Sequence, residues 1–246
     1  MSAEDNVLAA LLLLAAILYS SIGHAGASGY LAAMALVDIS PAVMKPTALG
    51  LNILVAVIAT TKFYRMGFFS WRLFIPLAIT AIPLAYIGGG LNLPSAIYKP
   101  IVGIILIYAA WRSFNTAKNA SEYEVKTAPL SLLLFVGGVL GFLSGLTGVG
   151  GGIFLSPLLL FCRWAPVKII SGVAAAFILV NSIAGILGVV SASTQFHPAL
   201  PIWAIIVVIG GYVGAECGSK HLSSPVLQQL LALVLLVAGV KMIATA

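Results

Sequence analysis

Gly145-Leu146-Thr147-Gly148-Val149-Gly150-Gly151-Gly152 lies within a long apolar stretch and decides the fold of this chain. A glycine inside a helix destabilises it by up to about 1 kcal/mol relative to alanine, so this run predicts that one helix ends and another begins here. A related run, Gly23-His24-Ala25-Gly26-Ala27-Ser28-Gly29, occurs 122 residues earlier with the same glycine spacing. Lipid cannot satisfy backbone groups that such breaks expose, so protein, ligand or water must do so.

The composition predicts an all-α integral membrane protein. The chain has 246 residues, of which 61% are hydrophobic and 7% are charged, and its mean hydropathy is +1.15. Apolar segments of about 20 residues recur, without the alternating pattern of a membrane β-barrel. The net charge of +6 is scattered between these segments, which indicates topology and argues against a nucleic-acid partner. The two cysteines show no metal-ligand spacing, so we expect packing roles for them and neither a metal nor a cofactor.

The two halves of the chain match in more than hydropathy. The glycines of the two runs correspond at an offset of 122, and Asn52 corresponds to Asn181 at an offset of 129. A hydrophilic segment separates the halves. We therefore predict repeat 1 over residues 1–112, a linker over 113–128 and repeat 2 over 129–246. Each repeat is expected to be a glycine-broken helical hairpin followed by three transmembrane helices.

The positions of Lys and Arg favour repeats of inverted topology. If both ends of each hairpin lie on one side of the membrane, through a re-entrant hairpin or two complete crossings, nine basic residues share the face of the linker and three lie opposite. If each broken pair crosses once, the repeats are parallel and the division is seven to five. Basic residues concentrate on the cytoplasmic side, so the linker is predicted to be cytoplasmic and both termini periplasmic. Secondary transporters commonly have this build, with substrate near the midplane.

The two breaks predict an anion site. A helix that begins after a glycine break presents unpaired N–H groups and the positive end of its dipole, each end contributing roughly 0.3–2 kcal/mol toward an anion. Close helix packing is the alternative explanation of the glycines. The candidate substrate-binding residues are Gly23, His24, Gly26, Ser28, Gly29, Asn52, Ser144, Thr147, Gly148, Gly150, Gly151, Gly152 and Asn181.

Several of the polar residues allow two interpretations from sequence. Asn52 and Asn181 either bind substrate or tie the hairpins to a neighbouring helix. His24 either carries a proton or is a hydrogen-bonded buried histidine. Lys45 and Arg163 either attract anions to the entrances or snorkel at the interface, and Glu216 is either a coupling group or a solvated helix end.

The paired glycine-rich segments, above all Gly145 to Pro157, together with the duplicated layout of nearly the whole chain, resemble the TauE/SafE family of sulfite exporters and sulfonate permeases. The resemblance implies a carrier in the bacterial inner membrane for sulfite, thiosulfate or an organosulfonate, with the hairpins forming the binding site. The first run has Ala27-Ser28-Gly29 where the second has three glycines, which makes Ser28 and His24 candidates for substrate selection.

The leading functional hypothesis is therefore a secondary transporter that works by alternating access in the lipid bilayer. The sequence has no nucleotide-binding glycine-lysine loop, so the energy would come from a proton or sodium gradient, the membrane potential or downhill flow. A homodimer is compatible with the sequence. The rival hypotheses are an intramembrane serine protease that uses Gly26-Ala27-Ser28-Gly29, and a passive anion channel.

Overall fold

The computed structural model describes residues 3–21, 24–115, 124–191, 196–220 and 225–246, and the regular structure in these ranges is entirely α-helical. The all-α prediction is confirmed. The helices are α1 (Ala3–Ser21), α2 (Ala27–Leu36), α3 (Pro41–Arg65), α4 (Trp71–Gly90), α5 (Ser95–Asn115), α6 (Leu130–Thr147), α7 (Gly152–Phe161), α8 (Val167–Ser191), α9 (Leu200–Lys220) and α10 (Pro225–Ala244).

Four helices in the described part of the chain are long and apolar enough to span a membrane. These are α3, α4, α6 and α8. Large apolar side chains on their outer surfaces are exposed, such as Ile79 at 61% and Phe135 at 68%. Water would make such exposure unfavourable, whereas the hydrocarbon of a bilayer accommodates it. The outer surface is thus suited to lipid.

Two helices are longer or more regular than the sequence indicates. The apolar pattern predicts that α3 covers Pro46 to about Thr61, but it begins at Pro41 and includes Pro46 in its interior. The sequence also suggests that Pro76 and Pro83 interrupt the next span, yet α4 continues through both. Membrane helices tolerate proline because neighbouring groups and small local adjustments satisfy the freed carbonyls.

Glycines bring two pairs of helices into backbone contact. Along α6, Gly137, Gly141 and Gly145 lie against Leu77, Ala81 and Ala85 of α4 so closely that a Cβ would overlap the α4 backbone. Both series of numbers increase together, so α4 and α6 run parallel. In the same way Gly210 and Gly214 of α9 lie against Leu13 and Ile17 of α1, and these two helices are also parallel. Van der Waals contact between small residues is the usual basis of helix association in lipid.

Two other pairs are antiparallel. A Cβ on Gly185 of α8 would contact Leu49 of α3, and Asn52 of α3 bonds to Ser182. The residue numbers change in opposite senses, so α3 and α8 cross in opposite directions. The ammonium of Lys99, near the start of α5, donates to the carbonyl of Thr245 at the end of α10, which makes α5 and α10 antiparallel as well.

The α6–α7 pair is a hairpin whose outer ends lie together. The N–H of Lys126, just before α6, donates to the carbonyl of Arg163, just after α7, at 2.8 Å. The chain therefore enters through α6, turns at the glycines and returns through the ten residues of α7. We call the end of the bundle at which α4, α6 and α8 begin the linker end, because the segment before α6 lies there.

Candidate functional site

The glycine loop of residues 148–151 joins α6 to α7 in a conformation that requires glycine. Gly148, Gly150 and Gly151 have φ values of 81°, 81° and 78°, in the left-handed region that disfavours side chains. Gly148 N–H donates to the Ser144 carbonyl at 2.9 Å and so ends α6. Within the described residues, the N–H groups of Gly150, Gly151 and Gly152 form no hydrogen bond. The predicted break is present, and it leaves three backbone donors unpaired.

The middle of α3 lies against this loop. A Cβ on Gly148 would lie 3.2 Å from Lys45 Cα, and a Cβ on Gly150 would overlap the side-chain amide of Asn52. Only glycine leaves room for the Asn52 amide at this point. A residue of the first half of the chain thus stands directly beside the glycine loop of the second half.

Buried polar atoms without partners lie on α3, α6 and α8, the helices that adjoin the glycine loop. Ser144 is 1% exposed, and Thr47, Asn52 and Asn181 are fully buried. Ser144 Oγ, Thr47 Oγ1, Asn52 Oδ1 and both side-chain atoms of Asn181 have no hydrogen-bond partner in the described chain. Burying an unpaired polar group costs about 1–3 kcal/mol, so several together indicate that a further polar species completes their hydrogen bonds.

Ser144 faces the loop most directly. The Cβ of Ser144 lies 3.4 Å from the position that a Cβ on Gly151 would take. The hydroxyl is therefore in the immediate neighbourhood of the unpaired N–H groups. Hydroxyl and backbone N–H donors side by side are suited to an oxyanion.

Asn52 connects the loop to the antiparallel pair α3 and α8. Its Nδ2 donates to Ser182 Oγ at 3.0 Å. Nδ2 is also the Asn52 atom closest to a Cβ placed on Gly150, so its second N–H can point toward the loop. This bond joins α3 to α8, neither of which belongs to a hairpin, so both interpretations from sequence stay predictions for Asn52.

Lys45 is buried beside the loop and contacts the end of α4. Its Nζ donates to the carbonyls of Gly88, Gly89 and Leu91 at 3.3, 2.7 and 3.0 Å. These carbonyls carry the negative end of the α4 dipole, where a cation is favourable. Lys45 is 7% exposed, so it is a buried helix cap rather than a side chain extended into the interface. Its stem, 3.4 Å from a Cβ on Gly148, fixes the end of α4 against the glycine loop.

The first break differs from the second because its side-chain hydroxyl groups are paired. Gly26 has a φ of 100° and precedes α2, so a break is present here too. Ser28 Oγ donates to the Tyr19 hydroxyl at 2.5 Å, and the Tyr30 hydroxyl donates to the Ala25 carbonyl at 2.8 Å. The hydroxyl groups of the two tyrosines therefore satisfy Ser28 Oγ and the Ala25 carbonyl of the first break.

The remaining predicted residues of the first break take individual positions. Ala27, Ser28 and Gly29 belong to the first turn of α2, although the sequence places them in the break. Gly29 lets α1 and α2 approach, since a Cβ there would lie 2.8 Å from Ala15. His24 is partly buried, and its backbone N–H donates to the Tyr19 carbonyl at 2.9 Å. Gly23 lies outside the described residues.

Thr147 is held by its own helix and does not point a free hydroxyl at the loop. Its Oγ1 donates to the Leu143 carbonyl at 2.6 Å, and its carbonyl accepts from the Tyr98 hydroxyl at 2.9 Å. Its backbone carbonyl thus anchors the end of α6 to α5. Glu216 pairs with Lys62 at 3.0 Å and is 44% exposed, which fits the interpretation of a solvated helix end.

Sequence reasoning missed several residues around the two breaks. Tyr19, Tyr30 and Tyr98 contribute hydroxyl groups, Ser182 bonds to Asn52, and Thr47 adds a buried hydroxyl on α3. Ser182 follows Asn181 directly, and two adjacent polar residues in an apolar span are the signal that could have revealed it. The tyrosines carry no comparable signal, because tyrosine is common in membrane helices.

Comparisons with known proteins agree on a membrane transporter. The model of the family described as "Sulfite exporter TauE/SafE" matches residues 8–242. A "Probable membrane transporter protein y4hK" of Sinorhizobium fredii is 40% identical over 246 residues, covering 99% of this chain and 100% of the relative. A "Probable membrane transporter protein MJ0441" of Methanocaldococcus jannaschii is 28% identical over 202 residues, covering 76% of this chain and 74% of the relative. No solved structure matches.

Proposed function

The chain belongs to the TauE/SafE family of membrane transporters, and from this premise we propose that it moves a sulfur-containing anion across the bacterial inner membrane by alternating access. Sulfite, thiosulfate and organosulfonates are the candidate substrates. The observation that carries this proposal is the set of unpaired donors at the glycine loop, where the N–H groups of Gly150 to Gly152 lie beside the buried hydroxyl of Ser144.

The directions of the helices support the proposed inverted repeats. Corresponding helices of the halves, such as α3 and α8 or α5 and α10, run antiparallel. Pairs between the halves also correspond, because α6 packs in parallel on α4 as α1 does on α9. Such an arrangement lets one half move relative to the other about a site near the midplane. The linker would then be cytoplasmic and both termini periplasmic.

The glycine loop supports binding of an oxyanion in particular. Sulfite and sulfonates present several acceptor oxygens around one sulfur, which match a cluster of donors better than a halide would. The unpaired N–H groups carry the positive end of the α7 dipole. Asn52 can add the second N–H of its Nδ2, which lies nearest Gly150, while the first donates to Ser182. Hydrogen bonds to a charged group each contribute about 1.5–3 kcal/mol, which would offset part of the anion's desolvation.

The two hairpins have unequal roles in this proposal. The second break supplies direct contacts, because the Ser144 hydroxyl beside its unpaired N–H groups has no partner, whereas the Ser28 hydroxyl of the first break is paired. The first break is closed by Tyr19 and Tyr30, so we assign to it a gating or supporting role. Among the predicted site residues, Gly150, Gly151 and Gly152 are thus the primary ones, while Gly148 ends α6.

The membrane potential bears on the direction of transport. A monoanion gains about 2.3 kcal/mol per 100 mV on leaving a negative interior, so export needs no coupled ion, whereas import would require a proton or sodium gradient. Flux in proteoliposomes should saturate with anion concentration if the protein is a carrier. Flux that increases linearly without counter-transport would instead indicate a channel.

The proposal is tested by ligand-dependent thermal stabilisation of the purified protein. The panel comprises sulfite, thiosulfate, sulfoacetate, taurine and toluenesulfonate, with acetate and chloride as controls. A ligand at a hundredfold excess over its Kd stabilises the native state by about 2.7 kcal/mol, so a substrate should raise the Tm clearly above the value measured with the control ions. Stabilisation by acetate or by a cation, with no effect of any sulfur anion, would contradict the proposed substrate class.

A further inference from the structure

A cavity of about 710 Å³ opens at the linker end of the bundle, away from the glycine loop. It lies between the start of α4, the segment that precedes α6 and the start of α8. Two basic side chains, Arg72 and Lys126, line it together with Trp164. Within the described part of the chain, neither basic side chain forms a hydrogen bond or an ion pair. The cavity therefore offers two positive charges that have no partner in the described part of the chain.

The walls of the cavity change from charged to apolar. Leu73, Pro76, Leu133 and Ile169 form the apolar part. Leu73 and Leu133 belong to the spanning helices α4 and α6, so these walls continue toward the hydrocarbon. A ligand that matches this site has an anionic group at one end and an apolar body at the other.

Aromatic residues place the opening near the membrane interface. Tyr64, Phe69 and Trp71 pack edge to face, with ring centroids 5.0 to 6.2 Å apart, next to the start of α4. Tyr and Trp concentrate at the level of the lipid headgroups. Lys168, 5.0 Å from the Phe68 ring centroid, adds a further positive charge at this end of the bundle.

The starts of the surrounding helices add positive potential to the cavity. Ser70 and Pro129 precede α4 and α6, and neither helix has a side-chain cap. Pro166 and Ile169 bring the start of α8 to the same cavity. Three dipoles thus present their positive ends here and reinforce Arg72 and Lys126.

We propose that this cavity binds the headgroup of an anionic phospholipid, with the phosphate between Arg72 and Lys126 and an acyl chain along the apolar wall. Basic pockets between membrane helices have the charge and depth that such headgroups require. A free oxyanion would use the two cations but would gain nothing from the apolar wall. The lipid would join α4, α6 and α8, and so brace the outer end of the α6–α7 hairpin. This proposal does not depend on the substrate at the glycine loop.

The test uses the full chain in neutral detergent, with phosphatidylglycerol, cardiolipin or phosphatidylcholine added in mixed micelles. We expect the two anionic lipids to raise the Tm of the wild type by about 5 °C and phosphatidylcholine to leave it unchanged. The doubly substituted Arg72→Gln/Lys126→Gln protein should lose this response. Native mass spectrometry should show the same loss of retained anionic lipid.

A control variant distinguishes the effect of the two charges in the cavity from the effect of lowering the surface charge in general. Arg65→Gln/Arg163→Gln removes the same charge from exposed positions that do not line the cavity, and its lipid response should match that of the wild type. An equal loss in both double variants would overturn the proposal. So would stabilisation by inorganic phosphate, lost in Arg72→Gln/Lys126→Gln, without any effect of the lipids, because it would indicate a site for soluble anions. Sulfur-anion binding should persist in both variants, so a failure here is separable from a failure of the proposed transport function.

Discussion

The substitution Gly150→Ala tests the glycine loop most sharply, because two separate effects can be worked out from its surroundings. Gly150 has a φ of 81°, which disfavours any side chain. A new Cβ would also overlap the Asn52 amide and lie 3.0 Å from Cγ2 of Ile178. The substitution therefore strains the backbone and displaces a residue that we place in the anion site.

The expected loss of stability combines these two effects. A left-handed conformation costs an alanine about 1–2 kcal/mol, and overpacking in a well-packed interior costs about 1–3 kcal/mol. Gly150→Ala should thus lower the free energy of unfolding by about 2–5 kcal/mol. Moving the Asn52 amide removes a hydrogen bond to a charged ligand, worth about 1.5–3 kcal/mol, so the Kd for the sulfur anion should rise about 10- to 150-fold.

Gly67 offers a matched control. Its φ is 76°, and a Cβ there would meet nothing within 4 Å. Gly67→Ala should cost about 1–2 kcal/mol from backbone strain alone and leave the Kd unchanged. Stability is measured by reversible SDS titration followed through tryptophan fluorescence, and affinity by isothermal titration. Equal effects of the two substitutions on affinity would refute the role of the Asn52 amide beside Gly150.

Three further substitutions separate stability from binding. Ser144→Ala removes an unpartnered buried hydroxyl, so the free energy of unfolding without ligand should stay the same or rise by about 1–3 kcal/mol, while titration shows a Kd raised at least about tenfold; unchanged affinity would remove Ser144 from the site. Tyr19→Phe breaks the bond from Ser28 and should cost about 1 kcal/mol in SDS titration with an unaltered Kd, whereas a large rise in Kd would mean that the first break also contacts the anion. Lys45→Met leaves buried α4 carbonyls unpaired and should lower the free energy of unfolding by about 1–3 kcal/mol, more than Lys62→Met, whose ion pair is partly exposed; the reverse order would contradict the capping role.

The helices can be predicted from the sequence because the apolar segments are long and because glycine, proline and polar residues lie between them. The glycine run predicts that α6 ends at Gly145 and that α7 begins at Ile153, within one or two residues of the observed Thr147 and Gly152. The sequence does not reveal the start of α3, because Pro46 suits a first helical position as well as Pro41 does, and the burial of Met44 and Lys45 is seen only in the fold.

The site was harder to predict, because the spacing of apolar residues in a sequence does not show which side chains form hydrogen bonds between helices. Ser28 and Ser144 appear equivalent as hydroxyls beside a glycine break, yet Ser28 is paired with Tyr19 and Ser144 has no partner. The difference depends on a tyrosine nine residues before Ser28, which reaches it only because α1 and α2 fold back on each other. Which donors are unpaired can thus be determined only from the three-dimensional structure.

The central claim is that a sulfur anion binds at the amide groups of the glycine loop. The most direct measurement is long-wavelength anomalous diffraction from crystals of the protein with thiosulfate, which locates the ligand's sulfur atoms. The account predicts a peak within hydrogen-bonding reach of the N–H groups of Gly150 to Gly152, beside Ser144 and Asn52. A peak in the cavity of Arg72 and Lys126, with the glycine loop vacant, would contradict it.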